Sequence, residues 1–360
     1  MNKIIFGGAF DPVHNGHINM ALNASKSLQG EVIFVPARIS VWKTSSAPVG
    51  DKIAMLKLAI KGYKQFSIDE FEISSGKETN YSIDTVRYFV NKYPKDIFFY
   101  LIGVDQVNEF HRWKDAEELS KLAQIVFYSR PGYEITSDNV TKYHMLRIDG
   151  PVVEASSTRI RELKEYKVPD EVLFYIVENN LYAGMVEINK LLSPHRLNHS
   201  KSVAKLAYEI AKANNLDNPL DVFVAGLLHD LGKDLPLERQ HEILKEHFPE
   251  YENAPKFSWH QFAGAYLAQS MFEINNQEML DAIKFHSTGN ENMGTIAKII
   301  YAADKIEPTR GFDSTDLISA MKKDIDEGFK IVLKANKEFL LSKGKKIEND
   351  LTLKCFKQYL

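Results

Sequence analysis

The chain has 360 residues, of which 44% are hydrophobic and 26% are charged, and its net charge is −3. One hydrophobic core rarely covers such a length, so two globular domains are expected. The small net charge and the scattered basic residues exclude a global basic field, so neither nucleic acid nor a membrane surface is expected as a partner. Cys355 is the one cysteine, which excludes an internal disulfide and favours the reducing cytoplasm.

The start of the chain, MNKIIFGG, enters a glycine turn after a short apolar run, which predicts a first strand rather than a signal peptide. The later runs EVIFVPA, DIFFYLIG and QIVFYSR are typical of strands that are buried on both faces. Amphipathic helical patterns such as GDKIAMLKLAIKGY and YSIDTVRYFVNKY lie between them. This alternation predicts βαβ units, and hence an α/β domain with a doubly wound parallel sheet.

Strand patterns stop after about residue 153, and helical patterns continue to the end of the chain. One of them, VPDEVLFYIVENNLYAG, has proline in its first turn and is expected to close the first domain. We therefore place a boundary near Gly184, with an α/β domain at residues 1–184 and an all-α domain at residues 185–360. No apolar run approaches the roughly 20 residues of a membrane span.

Glycines and histidines follow the first strand in GGAFDPVHNGH, residues 7–17. Gly7 and Gly8 permit a tight turn and a close approach of the backbone to a ligand. A helix that begins at Gly16 would place free N–H groups at the carboxyl edge of a parallel sheet, where phosphate-bearing ligands bind. His14 and His17 flank that point and can donate hydrogen bonds to phosphoryl oxygens. The alternative is a pair of surface or capping histidines beside an ordinary turn.

A second candidate phosphate motif is SSTRIR, residues 156–161. Ser157 or Thr158 can cap a helix whose N–H groups face an anion, and Arg161 can grip phosphates as a fork. A plain helix cap followed by a surface arginine is the alternative.

The helical half carries histidines and aspartates whose side chains suit a borderline divalent metal such as Fe, Mn, Co or Zn. The set consists of His199, His229, Asp230, His260, His286 and Asp304. Helices of a bundle can direct such side chains inward, and the set is large enough for two metal ions. Because neighbours on a helix diverge by about 100°, Asp230 either bends towards the metal of His229 or bridges two metals. For any single histidine, a core or surface role is the alternative.

The string G-G-x-F-D-P-x-H-x-G-H resembles the nucleotidyltransferase superfamily, and the form with His14 resembles the bacterial nicotinate-nucleotide adenylyltransferases. YSIDTVRYF, LIGVDQVNEFHRWKDAEEL, SRPG and SSTRIR resemble further segments of that family in the same order, along the first 184 residues. The resemblance implies a Rossmann-like fold and adenylyl transfer from ATP to nicotinate mononucleotide, giving nicotinate adenine dinucleotide and pyrophosphate. Mg²⁺ would arrive with ATP, held mainly by its phosphates.

The same resemblance implies roles for individual residues. His14 and His17 would be catalytic. ATP and its phosphates would contact Gly7, Gly8, Phe10, Lys43, Ser156, Ser157, Thr158 and Arg161, and the pyridine nucleotide would contact Thr85, Gly103, Asp105, Trp113 and Arg130. A core role is the alternative for Trp113. The chain departs from the family in PARISVWKTSS, which keeps only Lys43 of a Pro-Pro-His-Lys segment, and at Lys52, where arginine is more usual.

The order His199, His229-Asp230, Asp304 resembles the H…HD…D pattern of the HD phosphohydrolase superfamily. LLHDLGKDLP, WHQFAGA and AIKFHSTGNENMGTIAKIIYAADKIEPTR resemble, more narrowly, the YqeK family of HD proteins, over roughly residues 186–345. This resemblance implies symmetrical hydrolysis of diadenosine tetraphosphate (Ap4A) to two ADP.

The HD resemblance also implies a ligand set. His199, His229, Asp230 and Asp304 would hold one metal ion, and His260 and His286 would help to hold a second. We expect one or two divalent transition-metal ions, with iron as the first choice. Asp230 and Lys233 would be catalytic, and Lys233 and Arg310 would neutralise the phosphate chain. Solvated surface charge is the alternative for this lysine and this arginine.

The leading hypothesis is a bifunctional enzyme that acts on ATP, nicotinate mononucleotide and Ap4A. One alternative keeps the first activity and makes the HD domain a nucleotide sensor without turnover. Another assigns the first domain to the phosphopantetheine adenylyltransferases, which generally carry Thr at the position of His14 and lack the SSTRIR form. Both resembled families often self-associate, which leaves a homo-oligomer open.

Overall fold

A computed structural model describes residues 1–38, 47–77, 79–129 and 132–360 of the chain. It divides into two compact units, Met1–Tyr182 and Ala183–Leu360. The division falls after Tyr182, and the predicted domain limits at residues 184 and 185 stay a prediction. Two predicted site residues, Lys43 and Arg130, lie outside the described residues.

Strands from the described part of the first unit form a six-stranded parallel sheet. They are β1 (Asn2–Gly8), β2 (Glu31–Pro36), β3 (Phe66–Ile68), β4 (Ile97–Gly103), β5 (Gln124–Tyr128) and β6 (Leu146–Ile148). Their order is β3-β2-β1-β4-β5-β6, which is a doubly wound order. The predicted α/β fold with a parallel sheet is therefore confirmed.

Helices connect these strands. They are α1 (Asn15–Leu28), α2 (Val49–Ile60), α3 (Phe71–Ser74), α4 (Ser82–Lys92), α5 (Ala116–Leu122), α6 (Asn139–Lys142), α7 (Ser157–Arg161) and α8 (Asp170–Glu178). Ile5, Ile33 and Ile125 of the sheet pack in one core cluster with Phe89 of α4. Since β2 and β4 lie on opposite sides of β1, the chain reverses its direction of winding between β1 and β4, and ligands of such sheets bind outside the carboxyl ends there.

The described residues of the second unit form helices and turns only. The helices are α9 (Tyr182–Leu191), α10 (Pro194–Ala213), α11 (Pro219–Leu228), α12 (Leu237–His247), α13 (Trp259–Phe272), α14 (Gln277–Phe285), α15 (Thr295–Ile306), α16 (Thr315–Lys323), α17 (Ile325–Ser342) and α18 (Asp350–Tyr359). Val203, Ala207 and Ile210 form the buried face of α10 at helical spacing. The predicted all-α second half is confirmed.

Among the described helices, none combines the length and the apolar character that crossing a membrane requires.

Candidate functional site

The loop between β1 and α1 lies at the carboxyl end of the central strand. Gly7 packs so closely there that an added Cβ would lie 2.7 Å from the hydroxyl oxygen of Tyr100. Phe10 has a positive φ of 44°. Its ring is buried and packs edge-on against Phe6 and Phe34. Phe10 therefore supports the loop from inside the protein, and its 1% exposure leaves almost no surface for the predicted contact with ATP.

His14 and His17 form a reciprocal cap at the start of α1. The backbone N–H of His17 donates to Nδ1 of His14 at 3.3 Å, and the backbone N–H of His14 donates to Nδ1 of His17 at 3.2 Å. The two rings stack with their centroids 3.6 Å apart. Because Nδ1 of each ring accepts a hydrogen bond, the proton of each neutral imidazole sits on Nε2. These backbone hydrogen bonds thus leave each histidine with an Nε2–H donor at the start of α1.

The two phosphate motifs lie together although they are far apart in sequence. The hydroxyl of Ser157 donates to the carbonyl oxygen of Pro12 at 3.2 Å, across 145 residues. Arg161 donates from Nη1 to the carbonyl oxygen of Asp11 at 2.7 Å and from Nη2 to Thr158 Oγ1 at 3.0 Å. Arg161 is buried. The described contacts of Arg161 hold the loop before His14. Binding of phosphate by Arg161 stays a prediction.

Ser156, Ser157 and Thr158 surround the start of the short helix α7. The Ser156 side chain is the N-cap of α7 and accepts from the backbone N–H of Arg159. The sequence predicts a helix cap at Ser157 or Thr158, and this assignment is wrong, because the helix begins at Ser157 and its cap is Ser156.

The described residues that were predicted to contact the pyridine nucleotide differ in how far they are exposed. Gly103 ends β4, and Asp105 is exposed just beyond it. Trp113 is half-buried and packs edge-on against Tyr100, with ring centroids 6.0 Å apart, so it belongs partly to the core. Thr85 is fully buried, and its hydroxyl donates to Glu72 Oε1 at 2.7 Å. That hydroxyl is therefore committed to the protein interior rather than directed to a ligand.

Two residues of the first unit support the site without having been predicted. Tyr182 donates to Asp11 Oδ1 at 2.8 Å, across 171 residues. The ammonium group of Lys52 is buried and donates to the carbonyl oxygen of Ala37 at 3.1 Å. Burial lowers the pKa of Lys52, and the nearby carboxylate of Asp11 opposes that shift. Lys52 therefore holds the backbone after β2.

The six predicted metal ligands converge in the helical unit. They come from α10 (His199), the end of α11 (His229 and Asp230), α13 (His260), the end of α14 (His286) and α15 (Asp304). All six are buried. Two groups can each surround one ion, and both contain Asp230: one adds His199 and His229, and the other adds His260 and His286.

The two carboxylate oxygens of Asp230 face different histidines. Oδ2 lies 3.8 Å from Nε2 of His229. Oδ1 lies 3.5 Å from Nε2 of His286 and 3.6 Å from Nε2 of His260. Asp304 Oδ1 completes the first group, 3.1 Å from Nε2 of His199 and 3.8 Å from Nε2 of His229. Asp230 is therefore common to both groups that could hold a metal ion.

Backbone carbonyls orient two of the imidazoles. Nδ1 of His229 lies 2.7 Å from the carbonyl oxygen of Gly226, and Nδ1 of His286 lies 2.7 Å from that of Ile283. A carbonyl only accepts, so Nδ1 carries the proton and the Nε2 lone pair points towards Asp230. Nε2 of His229 is buried, and it has no hydrogen-bond partner among the described residues. A lone pair left in this position fits a metal ion.

The protonation states also fit a metal ion. Burial lowers the pKa of His229 to about 4, which keeps the imidazole neutral. Burial alone would raise the pKa of Asp230, but its electrostatic surroundings hold it well below its usual range, so the carboxylate stays ionised. A neutral imidazole beside an ionised carboxylate is a donor pair that suits a divalent transition metal.

Positive side chains surround the cluster. Nζ of Lys233 lies 3.1 Å from Nε2 of His260. Arg310 pairs with Asp304 through its guanidinium group. Two further cations were not predicted: Arg196 pairs with Asp230 at 3.3 Å, and Lys305 pairs with Asp304 at 2.9 Å. Arg196 precedes His199 by about one helical turn, and this spacing is the signal that could have identified it.

Gly232 lies in the turn after Asp230, where the chain packs against the backbone of α13. An added Cβ would collide with the carbonyl oxygen of His260 and lie 2.7 Å from the backbone nitrogen of Gly264. Since backbone atoms yield little, we expect Gly232→Ala to destabilise the helical unit by roughly 1–3 kcal/mol. Thermal unfolding followed by far-ultraviolet circular dichroism measures this loss.

The matched control is Gly50→Ala, because an added Cβ there meets no heavy atom within 4 Å. An unchanged melting temperature for Gly232→Ala would contradict the close packing of this turn.

Both units match known families. A cytidylyltransferase-like family matches residues 5–163, and the HD-domain family matches residues 196–309.

Curated relatives match the whole chain or its first half. The "Probable nicotinate-nucleotide adenylyltransferase/Ap4A hydrolase" of Mycoplasma pneumoniae is 33% identical over 346 residues, which cover 92% of this chain and 98% of that protein. The protein of the same name from Mycoplasma genitalium is 33% identical over 344 residues, covering 92% of this chain and 96% of that protein. The "Probable nicotinate-nucleotide adenylyltransferase" of Bacillus licheniformis is 37% identical over 192 residues, covering 51% of this chain and 99% of that protein.

These matches confirm the resemblance of each half that the motifs indicated. The chain belongs to the family of the two Mycoplasma proteins, and in this chain the cytidylyltransferase-like match is followed by the HD-domain match.

Proposed function

We propose that the chain is a bifunctional enzyme. Residues 1–184 transfer the adenylyl group of ATP to nicotinate mononucleotide, and residues 185–360 hydrolyse Ap4A to two ADP. The paired Nε2–H donors of His14 and His17 carry the first assignment, and the placement of Asp230 between two histidine groups carries the second. The names of the two Mycoplasma relatives support both.

Adenylyl transfer needs positioning and charge stabilisation rather than a protein nucleophile. A phosphate oxygen of nicotinate mononucleotide attacks the α-phosphorus of ATP, and pyrophosphate leaves as the bond to the bridging oxygen breaks. Nε2–H groups of His14 and His17 donate to the phosphoryl oxygens as negative charge builds up. Gly7 and Gly8 let the phosphates approach the backbone, and Mg²⁺ enters with ATP.

A comparison of acceptors tests this half. Purified protein is incubated with ATP and Mg²⁺ and with nicotinate mononucleotide, nicotinamide mononucleotide or phosphopantetheine, and the products are separated by chromatography. We expect a dinucleotide from a pyridine mononucleotide, with nicotinate as the preferred acceptor. If product forms with phosphopantetheine and with neither pyridine mononucleotide, the first unit is a phosphopantetheine adenylyltransferase instead.

In the HD unit, His199, His229, Asp304 and Asp230 would hold one ion, and His260, His286 and Asp230 a second. A divalent transition metal, with iron as our first choice, supplies Lewis acidity and activation of water for phosphate hydrolysis when it is bound. Around this cluster, Arg196, Lys233, Lys305 and Arg310 bind the negatively charged phosphate chain. Their guanidinium and ammonium groups orient the middle phosphates and stabilise the ADP that leaves.

A turnover assay separates hydrolysis from sensing. The metal-depleted protein is reconstituted with Fe²⁺ or Mn²⁺, mixed with Ap4A, and compared with a sample kept in chelator. Formation of two ADP only in the reconstituted sample supports the hydrolase. AMP with ATP would show cleavage at a different phosphorus, and tight binding of Ap4A without product would favour the sensor.

We further propose that the protein is cytoplasmic, which its single, unpaired and buried Cys355 supports. Self-association stays a prediction, and light scattering coupled to size-exclusion chromatography tests it.

A further inference from the structure

Glu307 directly follows α15 and contacts one of the proposed metal ligands. Its Oε1 lies 3.0 Å from Nδ1 of His199. On the opposite edge of the same ring, Nε2 of His199 faces Asp304 Oδ1 at 3.1 Å. Glu307 is almost completely buried, with 1% exposure. One end of α15 therefore holds the imidazole of His199 between two carboxylates.

The Glu307 carboxylate is fixed by its own partners. Oε2 accepts from the backbone N–H of Thr309 at 2.7 Å, and Oε1 accepts from the Thr309 hydroxyl at 2.7 Å. Thr309 thus donates to both oxygens of Glu307, so this carboxylate acts as an acceptor and Nδ1 of His199 is the donor between them. Nε2 of His199 is consequently the ring nitrogen that faces the proposed metal position, on the side of Asp304.

The outer partners of the four histidines differ in charge. Nδ1 of His229 and of His286 faces a neutral backbone carbonyl, whereas Nδ1 of His199 faces a carboxylate. Within the described part of the chain, His260 has no such outer acceptor: the ammonium group of Lys233 lies beside its ring, 3.3 Å from Nδ1 and 3.1 Å from Nε2. A carboxylate behind a ligating imidazole increases the basicity of the ligand and fixes its ring, whereas a cation opposes metal binding. The two metal groups that share Asp230 thus differ in the partners of their imidazoles, since among the described residues only the first group has a carboxylate behind one of its rings.

We propose that Glu307 is a positioning residue that fixes His199 as an Nε2 ligand and makes the His199–His229–Asp230 group the tighter of the two metal sites. This inference rests on the proposed metal site of the HD unit. It adds an order of filling: the first ion enters beside His199, and the second enters between His260 and His286.

Titration of the metal-free full chain with Co²⁺ tests the proposal. Visible absorption counts the bound ions, and competition with a chelator gives the two dissociation constants. Wild-type protein is expected to bind two ions with clearly different affinities. Glu307→Ala should weaken the tighter site by about 10- to 100-fold, the usual cost of a lost outer partner, and should leave the weaker site unchanged.

Two further variants separate positioning from a general loss of structure. Glu307→Gln keeps an oxygen that accepts from Nδ1, so it should recover part of the lost affinity. Glu209→Gln removes a carboxylate from α10, the helix of His199, where Glu209 pairs with Lys322 at 2.9 Å. This control should bind both ions as the wild type does.

The proposal fails if Glu307→Ala binds the first ion with wild-type affinity, or if both sites weaken equally. Nitrogen-15 NMR of the metal-free histidines gives an independent readout, because Glu307→Ala removes the acceptor of Nδ1 and should shift the Nδ1 signal of His199 while leaving that of His229 in place. Wild-type protein that binds two Co²⁺ ions but does not cleave Ap4A would overturn the proposed hydrolysis and leave the role of Glu307 to be decided by the affinities.

Discussion

Replacing Asp230 with alanine is expected to abolish the hydrolysis of Ap4A and to leave adenylyl transfer at its wild-type rate. Both candidate metal groups contain this carboxylate, and its two oxygens face different histidines. Without it, each group loses an anionic ligand at once. The loss of hydrolysis should therefore exceed the roughly 10- to 100-fold that a missing outer-shell partner costs.

Activity and metal content measure this effect together. The reconstituted variant is dialysed, its bound metal per chain is determined by mass spectrometry, and the release of ADP is followed. Asp326→Asn is the matched control, since Asp326 is exposed and pairs with Lys298 on the surface, where an ion pair contributes only about 0–1 kcal/mol. Retention of two ions and of hydrolysis by Asp230→Ala would contradict the shared-ligand geometry.

The second large effect is expected at His17. Loss of its Nε2–H donor should lower kcat for adenylyl transfer by about 10²–10³-fold, as for other donors that stabilise developing charge. His17→Asn isolates this donor, because the amide oxygen of asparagine can take the position of Nδ1 and still accept from the backbone N–H of His14. The cap of α1 would then survive while the donor is missing.

His17→Gln is the complementary variant, since its amide nitrogen can reach the position of Nε2. Steady-state kinetics should show a lower kcat with little change in KM for His17→Asn, and partial activity for His17→Gln. Wild-type kcat in His17→Asn would show that the histidine only caps the helix. Hydrolysis of Ap4A should stay at its wild-type rate in both variants.

Sequence patterns predict those parts of the fold that have strong local signals. β1, β2, β4 and β5 are continuous apolar runs, and each was expected. The edge strands β3 and β6 were not expected, because each has only three residues and no apolar run marks it. Helix α8 also ends earlier than its apolar pattern, since Asn180 takes a left-handed conformation and the chain starts a new helix, α9, at Tyr182.

The same contrast holds for the candidate sites. Histidines and aspartates in unusual arrangements, such as His229-Asp230, are recognisable because few structural roles require them. Glu307 and Tyr182 are not marked by any such arrangement, and only the fold shows that they contact a site. The bond between Glu307 and His199 spans 108 residues, so no local spacing could reveal it. Thr85 is the opposite case. Its motif predicts a contact with the pyridine nucleotide, but its hydroxyl donates to the buried Glu72, a contact that the motif does not indicate.

The most direct test of two separate active sites in one chain is a simultaneous measurement of both reactions. Metal-reconstituted protein is given ATP, Mg²⁺, nicotinate mononucleotide and Ap4A, and the products are resolved by chromatography for the wild type, His17→Asn and Asp230→Ala. We predict that the wild type forms both nicotinate adenine dinucleotide and ADP, and that each variant loses one product while forming the other at the wild-type rate. A wild type that forms only one product, or a single substitution that removes both, would contradict two independent sites.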